Sequence, residues 1–488
     1  MAVRSRLPRL QEVLAMPERT WVRGKTVCTL SSATASVEAL VKLLDAGMTG
    51  LRIQMAIYDQ KAQLEVLRKV REAKNLRPHS SCAVLMEVRG GELVLGLLKH
   101  HQSVTLVAGQ EVQLVNSTGV EGDSSTLVCI HEALPRLLKA GDSVYFDEGA
   151  VICQVTETMG NGGLLQVVEG GEIAERRTVT LPDAALNGPP LTDRDEDDIN
   201  TVVLKQSVDF LVLSQMRSAA AVEQVRDLLA SKGSSVRILV KLQNREILEE
   251  LGSVLQACDG LLLSPLELGL DLPTAAYSMV QDAILAQANA LGKPVLLLGD
   301  NTSRSLAQQR LEASALSTAL ILGVDGLVLP KAASLDAQLQ AIEQWRALCR
   351  GLETSAHYQA HARYARSLAH RSQVAAESAC ETAVQASEEA QARVLVILPN
   401  PDFSLEVLHR FKPLVPVLLV QLQEQPLVNL TAGCFAIKVA NDSEANNLQE
   451  ALNKAKDWGM AAEGDRALVL GTAGLQGSLG ALRVISVP

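Results

Sequence analysis

At 488 residues the chain is too long for a single hydrophobic core and calls for roughly two to four domains. Its composition is that of an ordinary globular protein, 47% apolar and 20% charged, but only 3% of residues are aromatic, so its cores must be assembled from Leu, Val, Ile and Ala. A formal net charge of −10 argues against nucleic acid as a general partner, because phosphate backbones call for a basic surface.

The first segment, MAVRSRLPRLQEVLAMPERTW, carries arginines at 4, 6, 9 and 19 and lacks the apolar stretch of a secretory signal. Pro8, Glu12 and Pro17 interrupt the amphipathic helix that a mitochondrial presequence needs. No apolar run reaches the roughly 18 residues of a membrane span. The eight cysteines are scattered without a C-x-x-C pair, several inside apolar runs, and read as buried free thiols in a reducing compartment. His100-His101 has no ligand spacing around it and reads as solvated. The expected location is the cytoplasm, free or attached to a cytoskeletal or other large assembly.

From residue 26 a rhythm begins: a wholly apolar run, a loop, then a segment of helical period. Apolar runs without alternation mark strands buried on both faces. They fall at Thr26–Leu30, Gly50–Ala56, Ala83–Val88, Phe210–Gln215, Arg237–Leu242, Gly260–Pro265, Pro294–Gly299 and Gly326–Pro330. Helical patterns lie between most of them, among them Ala35–Ala46, Gln60–Ala73, Ala219–Ser231 and Ala275–Leu291. Eight such units close into a (β/α)8 barrel. Residues 97–187 break the rhythm with short alternating stretches (Ser103–Val107, Glu111–Val115, Ser143–Phe146, Val151–Val155) and turn pairs such as Gly141-Asp142, which predict a small β-barrel inserted into a loop as a lid. The acidic run Asp193–Asp198 predicts a helix start.

Arg237–Gly269 is the stretch around which the rest is organised. It reads as two buried strands with a helix between, Lys241 at the end of the first strand and Glu267 just past the second. In a parallel barrel those strand ends form the catalytic face. After about residue 350 a second α/β unit follows: a helical stretch at roughly 373–391, then strands Arg393–Leu398, Val415–Leu422, Phe435–Val439, Ala467–Leu470 and Leu482–Val487. Its loops Pro399–Ser404 and Gly471–Ser478 lie beside helix starts but lack a cationic cluster, and read as simple turns.

These segments, in their order, resemble pyruvate kinases from about residue 24 to the C-terminus. The resemblance is carried by Lys25-Thr-Val-Cys-Thr-Leu with Ser36-Val-Glu-Ala-Leu and Asp45-Ala-Gly-Met, by Leu51-Arg-Ile-Gln, and by Glu87-Val-Arg-Gly-Gly-Glu. It continues through Asp147-Glu-Gly, Glu175-Arg-Arg-Thr-Val-Thr-Leu-Pro, Asp259-Gly-Leu-Leu-Leu and Gly292-Lys-Pro-Val to Leu482-Arg-Val-Ile-Ser-Val-Pro. It implies a barrel domain over residues 24–96 and 188–350, a lid over 97–187, a regulator-binding and tetramer-forming domain over 351–488, and an N-terminal arm over 1–23.

The family transfers phosphate from phosphoenolpyruvate to ADP, a glycolytic step whose charge is neutralised by Mg²⁺, usually K⁺, an Arg and a Lys. By the resemblance, Arg52 matches the phosphate-binding arginine and Lys241 the lysine that stabilises the transferring group. The two Mg²⁺ carboxylates correspond to Gln243 and Glu267. A Gln amide carries no net charge, which halves the protein charge offered to the ion. The loop whose backbone N–H groups hold the substrate carboxylate reads Ser264-Pro265-Leu266-Glu267, and proline has no N–H to give. The K⁺ ligands correspond to Gln54, Ala56, Glu87 and Val88, two of them without a side-chain oxygen. The threonine beside the substrate methyl group corresponds to Gly299, a Ser-Gly-Glu-Thr motif to Pro330-Lys331-Ala332-Ala333, the phenylalanine near the nucleotide to Gln215, and the effector loop to Pro399–Ser404, which has lost its cation.

The expectation is therefore a pyruvate-kinase-like pseudoenzyme with a structural or regulatory role, in which Arg52 and Lys241 form structural ion pairs, Lys241 with Glu87 or Glu267. No cofactor is expected at full affinity, Mg²⁺ and K⁺ being implied only by an active site. The expected partners are proteins: a larger assembly, copies of itself, or active pyruvate kinase subunits, with Trp21 of the arm as a contact element. Two alternatives stay open, a weakly active pyruvate kinase using Glu267 and Glu87 for metal, and a nucleotide or metabolite sensor.

Overall fold

The apolar runs become eight short parallel strands: Lys25–Thr29, Gly50–Gln54, Ala83–Glu87, Phe210–Leu213, Arg237–Leu242, Gly260–Leu263, Val295–Leu298 and Gly326–Leu329. The computed structural model describes residues 19–131, 133–182, 189–299, 306–369, 375–399, 403–423, 425–439, 443–471 and 481–488. The strands hydrogen-bond in sequence order and close into a barrel, Lys25 lying beside Gly326.

Strand alternation then sorts the side chains. Val27, Leu85, Val212, Leu239, Leu262, Leu296 and Val328 fill the barrel interior. Leu51, Ile53, Val84, Met86, Leu211, Val240, Leu261 and Val295 face the surrounding helices. A Cβ on Gly50 would sit only 3.0 Å from Val27 and 3.4 Å from Leu85, so glycine is what this layer accommodates. Two residues further along the same inward parity stand Thr29, Arg52, Glu87, Ser214, Lys241 and Ser264. The apolar plug is thus capped by a polar layer at the carboxyl ends of the strands.

The inserted unit is a seven-stranded sheet with a separate two-stranded ribbon. A bridge between Leu95 and Cys129 links its two edge strands, so the sheet curls into the small barrel expected. Its first strand is Leu93–Val94, paired with Thr178 and Val179, so the insertion begins at Leu93 rather than at residue 97. Its far boundary, at 187–188, falls at the edge of residues 183–188, outside the described residues. Leu114, Phe146 and Leu165 form a core of its own. The acidic run does start a helix, Asp193–Thr201, through a capping box between Thr192 and Asp195.

The C-terminal unit is a five-stranded sheet, four strands parallel and Ala481–Ser486 antiparallel at one edge. It packs on the amino end of the barrel, where Leu427 and Val428 join the barrel interior in one core. Buried polar links reinforce the joint: Lys25 Nζ donates to Cys434 O, Ala432 N donates to Asp325 Oδ1 (2.9 Å), and His409 Nε2 lies 2.9 Å from the same oxygen. Residues 400–402 of the Pro399–Ser404 loop and 472–478 of the Gly471–Ser478 loop lie outside the described residues, as do Arg4, Arg6 and Arg9.

Trp21 packs partly onto the C-terminal core, and the Arg19 guanidinium sits 4.4 Å over its ring. That side chain is engaged within its own chain. All eight cysteines are free and buried, and burial pushes the Cys82 thiol up to about 12. His101 is exposed and pairs with Glu175 at 3.1 Å. Among the described residues no helix is long and apolar enough to cross a membrane.

Candidate functional site

The polar layer is a closed set of ion pairs. Lys241 Nζ lies 2.6 Å from Glu267 Oε1 and 3.7 Å from Glu87 Oε1. Arg52 Nε donates to the other Glu87 oxygen, and Arg52 reaches Thr29 Oγ1 at 3.2 Å. Ser214 Oγ donates to Glu87 Oε1 at 3.0 Å. Arg52, Glu87 and Lys241 are each only 4% exposed. Burial alone would raise the Glu87 carboxyl, but Arg52 and then Lys241 outweigh it and hold the group at about 2. Burial opposes the Lys241 charge, and Glu267, Glu87 and Glu92 overcome that and keep the ammonium protonated. The two cations matched to phosphate binding therefore face carboxylates of their own chain.

The loop after strand Gly260–Leu263 is the start of a short helix, Pro265–Asp271, with Ser264 at its N-cap. Pro265 takes the first helical position, where a missing N–H costs nothing. Ser264 N donates to Leu242 O (3.1 Å) and its Oγ to Glu267 Oε1 (3.1 Å). Glu267 thus stands on the first turn of this helix, bent toward Lys241, while Leu266 is 38% exposed. Gln243 is buried, and its Oε1 accepts from Gln215 N at 3.3 Å. Gln215 has φ of 60°, a left-handed conformation that non-glycine residues adopt at some cost. Gln243 supports that turn. Gly90 fits beneath it: its φ is 63°, and a Cβ there would come within 2.8 Å of Ser214 O.

The positions matched to K⁺ ligands are dispersed in role. Gln54 ends its strand half-buried, Ala56 is exposed on the following turn, Glu87 is held by Arg52, and Val88 belongs to the apolar core between barrel and helices. Gly299 N donates to Val328 O at 2.9 Å, and a Cβ there would meet that carbonyl at 3.3 Å.

The lid strand Thr178–Thr180 and Pro182 roof the mouth, leaving a cavity of about 50 Å³ walled also by Glu92, Gln215, Gln243 and Glu267. Several side chains take a part in the site that the sequence reading did not give them, although Glu92 and Lys331 stand in segments matched to the family. Glu92 brings a third carboxylate, raised to about 7 by burial against the opposing pull of Lys241. Lys331 brings a third cation, lowered to about 8 by burial and then by Arg52. Asp195 and Asp198 anchor the connecting loop: Arg89 N donates to Asp195 Oδ1 (2.8 Å), and Arg89 Nη1 lies 2.6 Å from Asp198 Oδ2. The capping-box pattern at Thr192 was the one available signal for that anchor.

A hard divalent cation needs several oxygen ligands with lone pairs turned to a common point. Glu87 and Glu267 turn theirs to Arg52, Lys241, Ser214 and Ser264, and Gln243 turns its oxygen to a backbone N–H. Among the described residues no three His, Cys, Asp or Glu side chains converge on a point that would hold a metal. The donor set does not fit Mg²⁺, and with Ala56 and Val88 it does not fit K⁺.

A family model described as the pyruvate kinase barrel domain matches residues 21–334. Pyruvate kinase of Dictyostelium discoideum is 26% identical over 100% of this chain and 98% of its own, and that of Eimeria tenella is 25% identical over 91% and 85%. The solved structure of Cryptosporidium parvum pyruvate kinase in complex with ADP superposes with a TM-score of 0.87 over 97% of each chain at 21% identity. The chain belongs to the pyruvate kinase family.

Proposed function

We propose that this chain is a pyruvate kinase homologue that no longer carries out normal phosphoryl transfer and serves as a structural or regulatory protein component of an assembly. The observation that carries the reading is the 2.6 Å pair between Lys241 and Glu267. Phosphoryl transfer is catalysed by pre-placed charges aimed at the phosphate, and losing one such contact typically lowers turnover by about two to three orders of magnitude. Here the lysine is spoken for, the Mg²⁺ donor set does not fit, and Pro265 has withdrawn a backbone N–H. The scaffold meanwhile keeps its cores and caps, as expected of a chain used for its surface. Partners of this kind would be further copies of the chain, active pyruvate kinase subunits or a cytoplasmic assembly.

A second reading, weak pyruvate kinase activity, is favoured by one feature. Arg52, Lys241 and Lys331 all lie at the barrel mouth and together keep it rich in cations. The test is pyruvate formation from phosphoenolpyruvate and ADP with Mg²⁺ or Mn²⁺ and K⁺, beside a Lys241→Met control. The reading expects no signal above the control. Turnover near or above about 1 s⁻¹, within the ordinary enzyme range, and abolished by the substitution, would establish the second reading instead.

A further inference from the structure

A second and more spacious cavity lies away from the barrel mouth. It occupies about 560 Å³ between the outer helix Gln60–Leu76, the start of strand Ala83–Glu87, and the C-terminal unit's edge strand Cys434–Lys438 with helix Glu444–Asp457. That volume is within the range of small-molecule sites. Its lining opposes the acidic character of the chain: Arg71, Lys74, Lys438 and Lys454 against one carboxylate, Glu450.

Among the described residues two of these cations have only neutral partners, and Lys454 Nζ lies 3.9 Å from Asp457 Oδ2 on its own helix. Arg71 Nη2 donates to Gln206 Oε1 (2.6 Å), and Lys74 Nζ donates to Cys82 O (3.0 Å). The cavity wall also holds a buried donor without an acceptor. Gln421 is 5% exposed, its Oε1 accepts from Gln425 N at 3.0 Å, and this fixes its Nε2, which has no partner among the described residues. A buried amide donor left unpaired costs about 1–3 kcal/mol, and an acceptor oxygen entering the cavity would relieve it. Trp458, braced against Phe435 with ring centroids 6.1 Å apart, gives the same cavity an aromatic wall.

We propose that this cavity is a binding site for a small phosphate ester. The phosphate dianion is held by Arg71, Lys74 and Lys454, and the organic part lies toward Trp458 and Ile437. A dianion matches the excess of cations, and the apolar side of the lining matches a sugar or base rather than a bare ion. The site is separate from the barrel mouth and from the Pro399–Ser404 loop, so it stands whether or not the chain turns over phosphoenolpyruvate.

Isothermal titration of the full-length chain with ribose 5-phosphate, with UMP and with inorganic phosphate tests it, the first two distinguishing a sugar from a nucleoside as the organic part. The expected result is saturable binding of at least one ester with a Kd below about 1 mM, well above the weakest measurable range. R71Q/K454Q should weaken it by about tenfold or more, the worth of a lost charge-assisted hydrogen bond. R68Q, one turn away on the same helix and outside the lining, should leave it unchanged. No saturable binding of either ester to the unaltered chain up to about 10 mM overturns the proposal without reference to any variant. Equal affinity in R71Q/K454Q, or inorganic phosphate binding as tightly as the esters, overturns it as well.

Discussion

The two ends of the barrel hold charge in opposite ways. At the carboxyl end the buried Arg52 and Lys241 meet Glu87 and Glu267, and the space beneath the inserted sheet is about 50 Å³. On the outer face near the amino end, Arg71 and Lys74 meet only neutral acceptors beside about 560 Å³ of space. In a protein of net charge −10, cations without carboxylate partners at a cavity are the exception. The contrast teaches that a preserved Arg or Lys says little about ligand binding until its partner is known. Arg52 and Lys241 survive in the sequence yet are neutralised in place, whereas Arg71 and Lys74 belong to no motif and, among the described residues, meet no carboxylate.

The largest expected effect comes from breaking the mouth network. Arg52→Met leaves Glu87 buried without its nearest cation and should lower stability by about 3–5 kcal/mol in urea unfolding, with most of the loss recovered in Arg52→Met/Glu87→Met. A single substitution costing less than about 1 kcal/mol would mean that the pair is solvated.

Acid should reach the same network. The Glu87 carboxyl stands at about 2 in the folded chain against an ordinary 4.5, so its stabilisation is complete above pH 4.5 and is lost as pH falls through about 2. The loss is on the order of 3 kcal/mol, read as a shift in unfolding midpoint that Glu87→Gln removes. Glu92 has the opposite sign. Its folded carboxyl is raised to about 7, so the folded state binds the extra proton and stability falls as pH rises from 4.5 toward 7. Glu92→Gln should flatten that slope.

A smaller effect tests the loop anchor. Thr192→Ala removes the cap that orients Asp195 beneath Arg89 and Gly90, and should cost about 1 kcal/mol in thermal or urea unfolding. The smallest belongs to the outer cavity. Arg71→Gln should change stability by no more than about 0.5 kcal/mol, because its only partner among the described residues is a neutral amide. A larger cost would make that cation structural and erase the difference between the two ends.

Much of the frame was legible in the sequence because barrel strands are buried on both faces and their helices are capped. Strand Arg237–Leu242 and helix Ala219–Ser231 were read to the residue. Other strands were read one or two residues long, since Ala56, Val88 and Pro265 continue the apolar run after the hydrogen-bonded ladder has ended. The start of the lid was missed because Leu93–Val94 is too short to show alternation. At the site, the family resemblance led to Arg52 and Glu87, and the resemblance together with its place at a strand end led to Lys241. Glu92 and Lys331 come from loops, where no periodicity says which way a side chain turns, and Ser214 lies just past the end of its strand. The outer cavity left no trace, because its walls come from segments more than 300 residues apart.

The account rests on the cations of the barrel mouth being committed to the chain's own carboxylates. Isothermal titration of phosphoenolpyruvate into the full-length chain with Mg²⁺ present tests this most directly. The account predicts no saturable heat up to about 10 mM, beyond the roughly 1 mM that corresponds to about 4 kcal/mol of binding. A Kd in the micromolar range that Lys241→Met abolishes would contradict it and return Lys241 to the substrate.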